Sequence, residues 1–210
     1  MSNEEDELES KEIEEELDEE EGGAVDAEAL SSIFGGMLDQ SQPRIVGLFG
    51  DIDEEKASAA CASLISFFKS SKDPIELFLS TNGGSADEMY AVVDVIEYLK
   101  SNDCEVHIRG IGKIMSAGIL ILACGTKGER KVGKNTRLMM HPVQGGIAGP
   151  FPSMKDDLGL IKKMQEKYIH CLSELTNLSI RQVRAIVNKR RDTYFDAEEA
   201  IEMGLVDSVL

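Results

Sequence analysis

Two residues with chemistry in them, Ser116 and His141, stand twenty-five positions apart. Ser116 closes the segment Gly110-Ile111-Gly112-Lys113-Ile114-Met115-Ser116. After Ala117-Gly118 comes the apolar run Ile119-Leu120-Ile121-Leu122-Ala123. The run reads as a buried helix, and the glycine-bearing segment ahead of it as a turn. A hydroxyl at the first turn of such a helix faces free backbone N–H groups, and the helix dipole favours negative charge developing there. His141 ends a second apolar run, Leu138-Met139-Met140, which reads as a buried strand. A serine hydroxyl is a weak nucleophile until a base within hydrogen-bond reach takes its proton, and imidazole suits that task. On residue types alone the pair has a plainer alternative, a serine that caps its helix and a histidine satisfied at a strand end.

The remaining histidines are His107 and His170. His107 alternates with Val106 and Ile108 in a strand, and His170 falls inside an amphipathic helix, so both read as structural. Only His141 sits at a strand end, where sites of α/β domains gather. Gly83-Gly84, after another strand, lets backbone N–H groups approach a ligand without a Cβ in the way, which suits an oxyanion hole.

The elements that must hold these residues alternate along the chain. Arg44–Gly50 reads as a strand, and Asp51 or Asp53 caps a helix to about Ser70 with Ala57, Ala60, Leu64, Ile65 and Phe68 on one face. Ile75–Leu79 is the next strand, Ala86 to about Lys100 a helix, and Glu105–Arg109 a third strand. Beyond the His141 loop, Ser153 is expected to cap a long helix from Met154 to about Leu175, whose mixed face (Leu158, Ile161, Met164, Lys167, Tyr168, Leu172) suits packing on a neighbour. Ser179 caps a helix to about Lys189, and Asp196 caps a short one from Ala197 to Met203. Strand–helix alternation at this spacing predicts an α/β domain of parallel strands with helical crossovers.

Charge is unevenly placed. The formal total is 22 − 39 = −17; residues 1–22 hold thirteen Asp/Glu and one Lys, or −12, leaving −5 for the remainder. Residues 1–23 are expected to form an acidic disordered tail, since isolated Leu8, Ile13 and Leu17 bury too little to offset ordering entropy. Residues 24–43 read as a linker and N-terminal segment, and 44–210 as the folded domain. No basic run with interleaved aromatics supports nucleic-acid binding. Cys61, Cys104, Cys124 and Cys171 have no metal-ligand spacing and read as free thiols of a reducing compartment, Cys61 and Cys124 as small buried hydrophobes. The longest uncharged apolar run, Ile114–Gly125, is shorter than the about 20 residues a membrane span needs. A cytoplasmic protein without membrane or metal chemistry is expected.

Five segments in order carry a family resemblance. Gly112-Lys113-Ile114-Met115-Ser116-Ala117-Gly118 resembles the Gly-x-Ala-Ala-Ser-Met-Gly motif of the ClpP peptidases, and Arg137–Gly146 resembles that family's histidine motif. Thr81-Asn82-Gly83-Gly84-Ser85 is similar to its Ser-Pro-Gly-Gly oxyanion loop. Arg44–Asp53 is similar to its opening strand and turn, and Arg191-Asp192-Thr193-Tyr194 with Ala197–Val206-Asp207 to its closing stretch. The resemblance implies a ClpP/crotonase-like fold of repeated β-β-α units with a protruding long helix, the handle. It implies Ser116 as nucleophile, His141 as general base and Asp192 as the acid that orients the imidazole, Asp196 being a helix cap. It places the oxyanion at the N–H groups of Gly84 and Ala117, with Gly83 supporting the loop. It further implies peptide-bond hydrolysis of unfolded polypeptides through an acyl-enzyme, with no metal or cofactor, inside heptameric rings stacked into a tetradecamer and fed by an AAA+ unfoldase ATPase.

The sequence also departs from the pattern. Lys113-Ile114-Met115 replaces smaller residues, Ala117 replaces methionine, Pro142-Val143 follows the histidine, and Pro150-Phe151-Pro152 alters the loop into the long helix. An inactive assembly subunit on the same scaffold and a crotonase-type acyl-CoA enzyme therefore stand as alternatives.

Overall fold

Alternating apolar residues build a mostly parallel sheet, two of whose strands end at the site. The computed structural model describes residues 43–210 apart from 147 and 190, so the expectations for 1–23 and for 24–42 lie outside the described residues. The first three strands are β1 (Ile45–Ile52), β2 (Ile75–Gly84) and β3 (Val106–Met115), with helices α1 (Glu54–Ser70) and α2 (Ala86–Lys100) between them. Then come α3 (Ala117–Cys124), β4 (Arg130–Val132) and β5 (Arg137–Met140). The long helix α4 (Phe151–Leu175) is followed by α5 (Ile180–Val187), β6 (Thr193–Phe195), α6 (Ala197–Glu202) and β7 (Ser208–Val209). The sheet runs β1-β2-β3-β4-β7 with every pair parallel. β5 continues beside the upper half of β3, and β6 joins β5 antiparallel. This is the expected α/β architecture with a mostly parallel sheet.

Side chains of β2 show why the sheet lies where it does. Ile75, Leu77 and Leu79 are fully buried on one face, while Glu76 and Phe78 are half-buried on the other. Helix ends are set by side chains that accept otherwise unpaired N–H groups, each worth about 1 kcal/mol. Asp53 accepts from Lys56 N, Ser85 from Glu88 N, and capping boxes close Ser179/Gln182 and Asp196/Glu199. α3 is buried along all eight residues and lies against β2, β3, α2 and α4. A buried ion pair closes the far edge: Arg130 reaches Asp207 Oδ1 at 2.6 Å and also donates to the carbonyls of Ala123 and Leu175. Burial pushes the Asp207 carboxyl up, but hydrogen bonds from Arg130 and Gly128 outweigh this and hold it below the ordinary value.

Several expectations are corrected. The glycine-bearing segment before Ser116 is not a turn, because β3 runs unbroken to Met115, with a register shift opposite Leu79/Thr81. β2 likewise extends beyond Leu79 through Gly84, so the Gly-Gly pair ends a strand. Ile65 is 39% exposed and not on the core face of α1. Cys61 is half-buried rather than buried. α4 starts at Phe151 with Pro150 as N-cap and a proline at the first turn, where its missing N–H costs nothing, so Ser153 is not the cap. The short strands β4 and β6 were not expected. α4 buries only Tyr168, Ile169 and Leu172, and its first half exposes Phe151 at 80% and Leu160 at 58%.

Candidate active site

Ser116 stands alone between β3 and α3. Its backbone is at φ 54°, ψ −119°, a conformation that costs a residue with a Cβ of order 1–3 kcal/mol and persists only where the surroundings impose it. A sharp strand-to-helix turn of this kind lifts a serine Oγ clear of the backbone. Three contacts impose it. Ser116 N–H donates to the Met139 carbonyl at 2.8 Å, and its own carbonyl accepts from Ile119 N at 3.0 Å and from the Tyr168 hydroxyl at 3.2 Å. Although Ser116 is the N-cap of α3, its hydroxyl makes no capping hydrogen bond. The plainer alternative of a capping serine is therefore excluded.

Gly83 is pressed against that serine. A Cβ on Gly83 would stand 2.5 Å from Ser116 Cβ and 3.0 Å from its Oγ, and φ is +97° there, so only glycine fits. Its N–H is already taken by Thr81 Oγ1 at 2.9 Å. At Gly84 a Cβ would meet the Ile52 carbonyl oxygen at 2.2 Å. Ala117 is the first residue of α3, and an N–H in that position has no intrahelical partner. The end of β2 and the start of α3 thus converge on Ser116.

These residues share a cavity of about 530 Å³ with His141. Ser116, Ala117, Gly83, Gly84 and His141 line it together with Met89, Tyr90, Val143, Met164 and Tyr168. One rim carries Asp51, whose carboxylate accepts from Asn82 Nδ2 at 2.9 Å. His141 is half-buried immediately beyond β5, and its Nδ1–H donates to the Pro142 carbonyl at 2.5 Å. A carbonyl can only accept, so a proton is on Nδ1, and in the neutral ring Nε2 is the nitrogen with the lone pair. Of the expected site residues Asp192 alone is outside the cavity lining. It is exposed, and the Tyr194 hydroxyl lies 3.5 Å from its carboxylate. The β5–β6 ladder ends with Met140 opposite Thr193, which leaves His141 and Asp192 as the next residues on the two strands. Among the described residues no hydrogen bond joins Ser116, His141 and Asp192.

His107 and His170 take no part in the cavity. His107 hydrogen-bonds Glu105 at 2.7 Å on the opposite end of β3, and His170 is exposed on α4. Among the described residues no cluster of three His, Cys, Asp or Glu is placed to hold a metal, and no helix is long and apolar enough to cross a membrane. The four cysteines are free. Residue-type reasoning did not single out Tyr90 or Tyr168. Tyr90 donates to the Met164 carbonyl at 3.0 Å, and together the two phenols fasten α4 to the site. The only signal for them was their spacing on apolar helix faces, which core tyrosines share.

Comparison with known proteins identifies the family. The sequence model of the family described as Clp protease matches residues 27–210. The chain is 34% identical over 186 residues to the ATP-dependent Clp protease proteolytic subunit 2 of Chlamydia trachomatis serovar D, covering 87% of each chain. It is 31% identical over 179 residues to proteolytic subunit 1 of Leifsonia xyli subsp. xyli, covering 85% of this chain and 87% of the relative. Against proteolytic subunit 2 of Bacillus licheniformis the identity is 31% over 181 residues, covering 85% and 90%.

Proposed function

We propose that this chain, which belongs to the Clp protease family, is a serine endopeptidase with Ser116 as its nucleophile. The observation that carries this is the uncapped Ser116 hydroxyl, held in a strained backbone against Gly83 at the open start of a buried helix. Ser116 Oγ attacks the scissile carbonyl while His141 Nε2 takes the hydroxyl proton. The carbonyl oxygen becomes an oxyanion facing the N–H groups of Gly84 and Ala117. His141 then returns the proton to the departing amine as the C–N bond breaks, leaving an acyl-enzyme that water hydrolyses by the same steps. The Pro142 carbonyl supports this by keeping the proton on Nδ1. Asp192 is assigned as the orienting carboxylate because it is the next residue opposite His141 beyond the β5–β6 ladder.

Unfolded polypeptide is the proposed substrate, and the cytoplasm the proposed compartment. Assembly into heptameric rings, two of them stacked, is supported by the apolar half of α4 that the described residues leave exposed. An ATPase partner is supported by the relatives' names, which call those proteins subunits of an ATP-dependent protease. The lack of a hydrogen bond among the three catalytic candidates favours one second reading, an assembly subunit without activity.

A fluorophosphonate probe separates the two. Labelling of the wild type and not of Ser116→Ala is expected, and a folded oligomer that stays unlabelled would sink the peptidase. Acyl-CoA turnover that survives Ser116→Ala would favour the crotonase-type chemistry instead. Native mass spectrometry of the same samples, with and without peptide, reads the ring number.

A further inference from the structure

The carbonyl of Ser116 and the N–H of Ala117 belong to one peptide group. Such a group is planar and trans, so its C=O and N–H point in opposite directions, and holding one aims the other. Two donors hold the Ser116 oxygen: Ile119 N–H at 3.0 Å and the Tyr168 hydroxyl at 3.2 Å. The Ile119 bond lies within the same turn and moves with it. Tyr168 comes from α4, a separate element, and is 6% exposed. Burial pushes its phenol far above the ordinary value, so it is a hydrogen-bond donor at any working pH.

From this we infer that Tyr168 is a positioning residue for the oxyanion hole. By gripping the Ser116 carbonyl it aims the Ala117 N–H into the cavity, at the oxygen that gains charge in the tetrahedral intermediate. The inference rests on the proposed peptidase chemistry and extends it. A positively turned φ at Ser116 makes the grip necessary, because the peptide following such a residue has lower-energy orientations to relax into. The α3 helix supplies only one restraint on that oxygen, the bond from Ile119 N–H, which belongs to the same turn. A fixed donor acts on the transition state more than on the bound substrate, because the ground-state carbonyl carries little charge.

Tyr168→Phe tests this by removing the hydroxyl and keeping the ring. Four quantities are compared with wild type: kcat, KM, affinity for a peptide boronate that forms a tetrahedral adduct on serine, and affinity for a product peptide. Titration with a covalent phosphonate counts competent sites, so a fraction lost to misfolding is divided out. The expected result is a fall in kcat and in boronate affinity by about tenfold each, the size of one neutral hydrogen bond, with KM and product affinity within twofold. Equal loss of product and boronate affinity would mean Tyr168 only shapes the pocket, and would overturn the inference. So would a variant with wild-type kcat per titrated site. Failure of wild type itself to react with the phosphonate would overturn the peptidase reading and this inference with it, whereas the two preceding outcomes leave that reading intact.

Discussion

Around Ser116 the backbone is tied on every side. Its N–H is bonded to β5, its carbonyl to both α3 and α4, and Gly83 leaves no space beside its Cβ. Around His141 the ties are few. Among the described residues the ring bonds only to the adjacent Pro142 carbonyl, residues 144–146 after it are exposed, and Val143 N–H makes a single bond to Gln165 Oε1 at 3.2 Å. Asp192 faces solvent. The half that would stabilise negative charge is preassembled in the folded chain, and the half that would move the proton is not. Strain explains the asymmetry: a nucleophile in a costly conformation needs an over-determined setting, whereas a histidine and a carboxylate at strand ends need only come within reach.

The comparison breaks most sharply at Asp192. Replacing it by asparagine should cost roughly 10⁴-fold in kcat if the carboxylate swings onto His141 during turnover. A loss within about tenfold would mean that the Pro142 carbonyl already holds the ring, and that both halves are preassembled. Gly83→Ala attacks the rigid half. The new Cβ has Ser116 at 2.5 Å, so the nucleophile must move, and kcat/KM in a peptide assay should fall roughly 10³-fold while the chain still folds.

Asp207→Asn lies away from both halves and tests whether scaffold and site are separable. Breaking this buried pair should cost about 3 kcal/mol in a denaturant titration, with kcat per titrated site unchanged. The sign with pH follows from the depressed carboxyl: its stabilisation is complete above the unfolded carboxylate value near about 3.9 and is lost as pH falls through the lower folded value. Wild type and variant should therefore converge in strong acid and differ most near neutrality. Ser116→Gly, which gains freedom at φ 54°, is the smallest effect: the inactive variant should melt about 2–4 °C above wild type, and no rise would mean the serine is not strained.

Much of the scaffold is legible in the sequence where caps and periodicity agree. α2 spans Ala86–Lys100 as read, since Ser85 caps it and a Ser-Asn-Asp turn ends it. β3 runs past the point where its sequence suggests a stop, because glycines at 110 and 112 look like breakers. At Gly110 the space of a Cβ is filled by Ile114 and Val132, a tertiary fact that no local pattern carries. β4 and β6, three residues each, are too short to show a period. At the site, Ser116 and His141 could be picked out because one stands just before an apolar run and the other ends one. Tyr168 could not, because a hydroxyl that reaches a carbonyl 52 positions back leaves no trace in local spacing.

The bond from Ser116 N–H to the Met139 carbonyl has a geometric consequence. Met139 is two residues before His141, a step of roughly 7 Å along a strand. That bond works as a ruler laid across two strands, with the nucleophile at its zero mark and the imidazole a fixed count of backbone away. Side chains along β5 can change without moving the mark. Inserting or deleting one residue between Met139 and His141 would move it, and would turn the imidazole to the other face of the sheet.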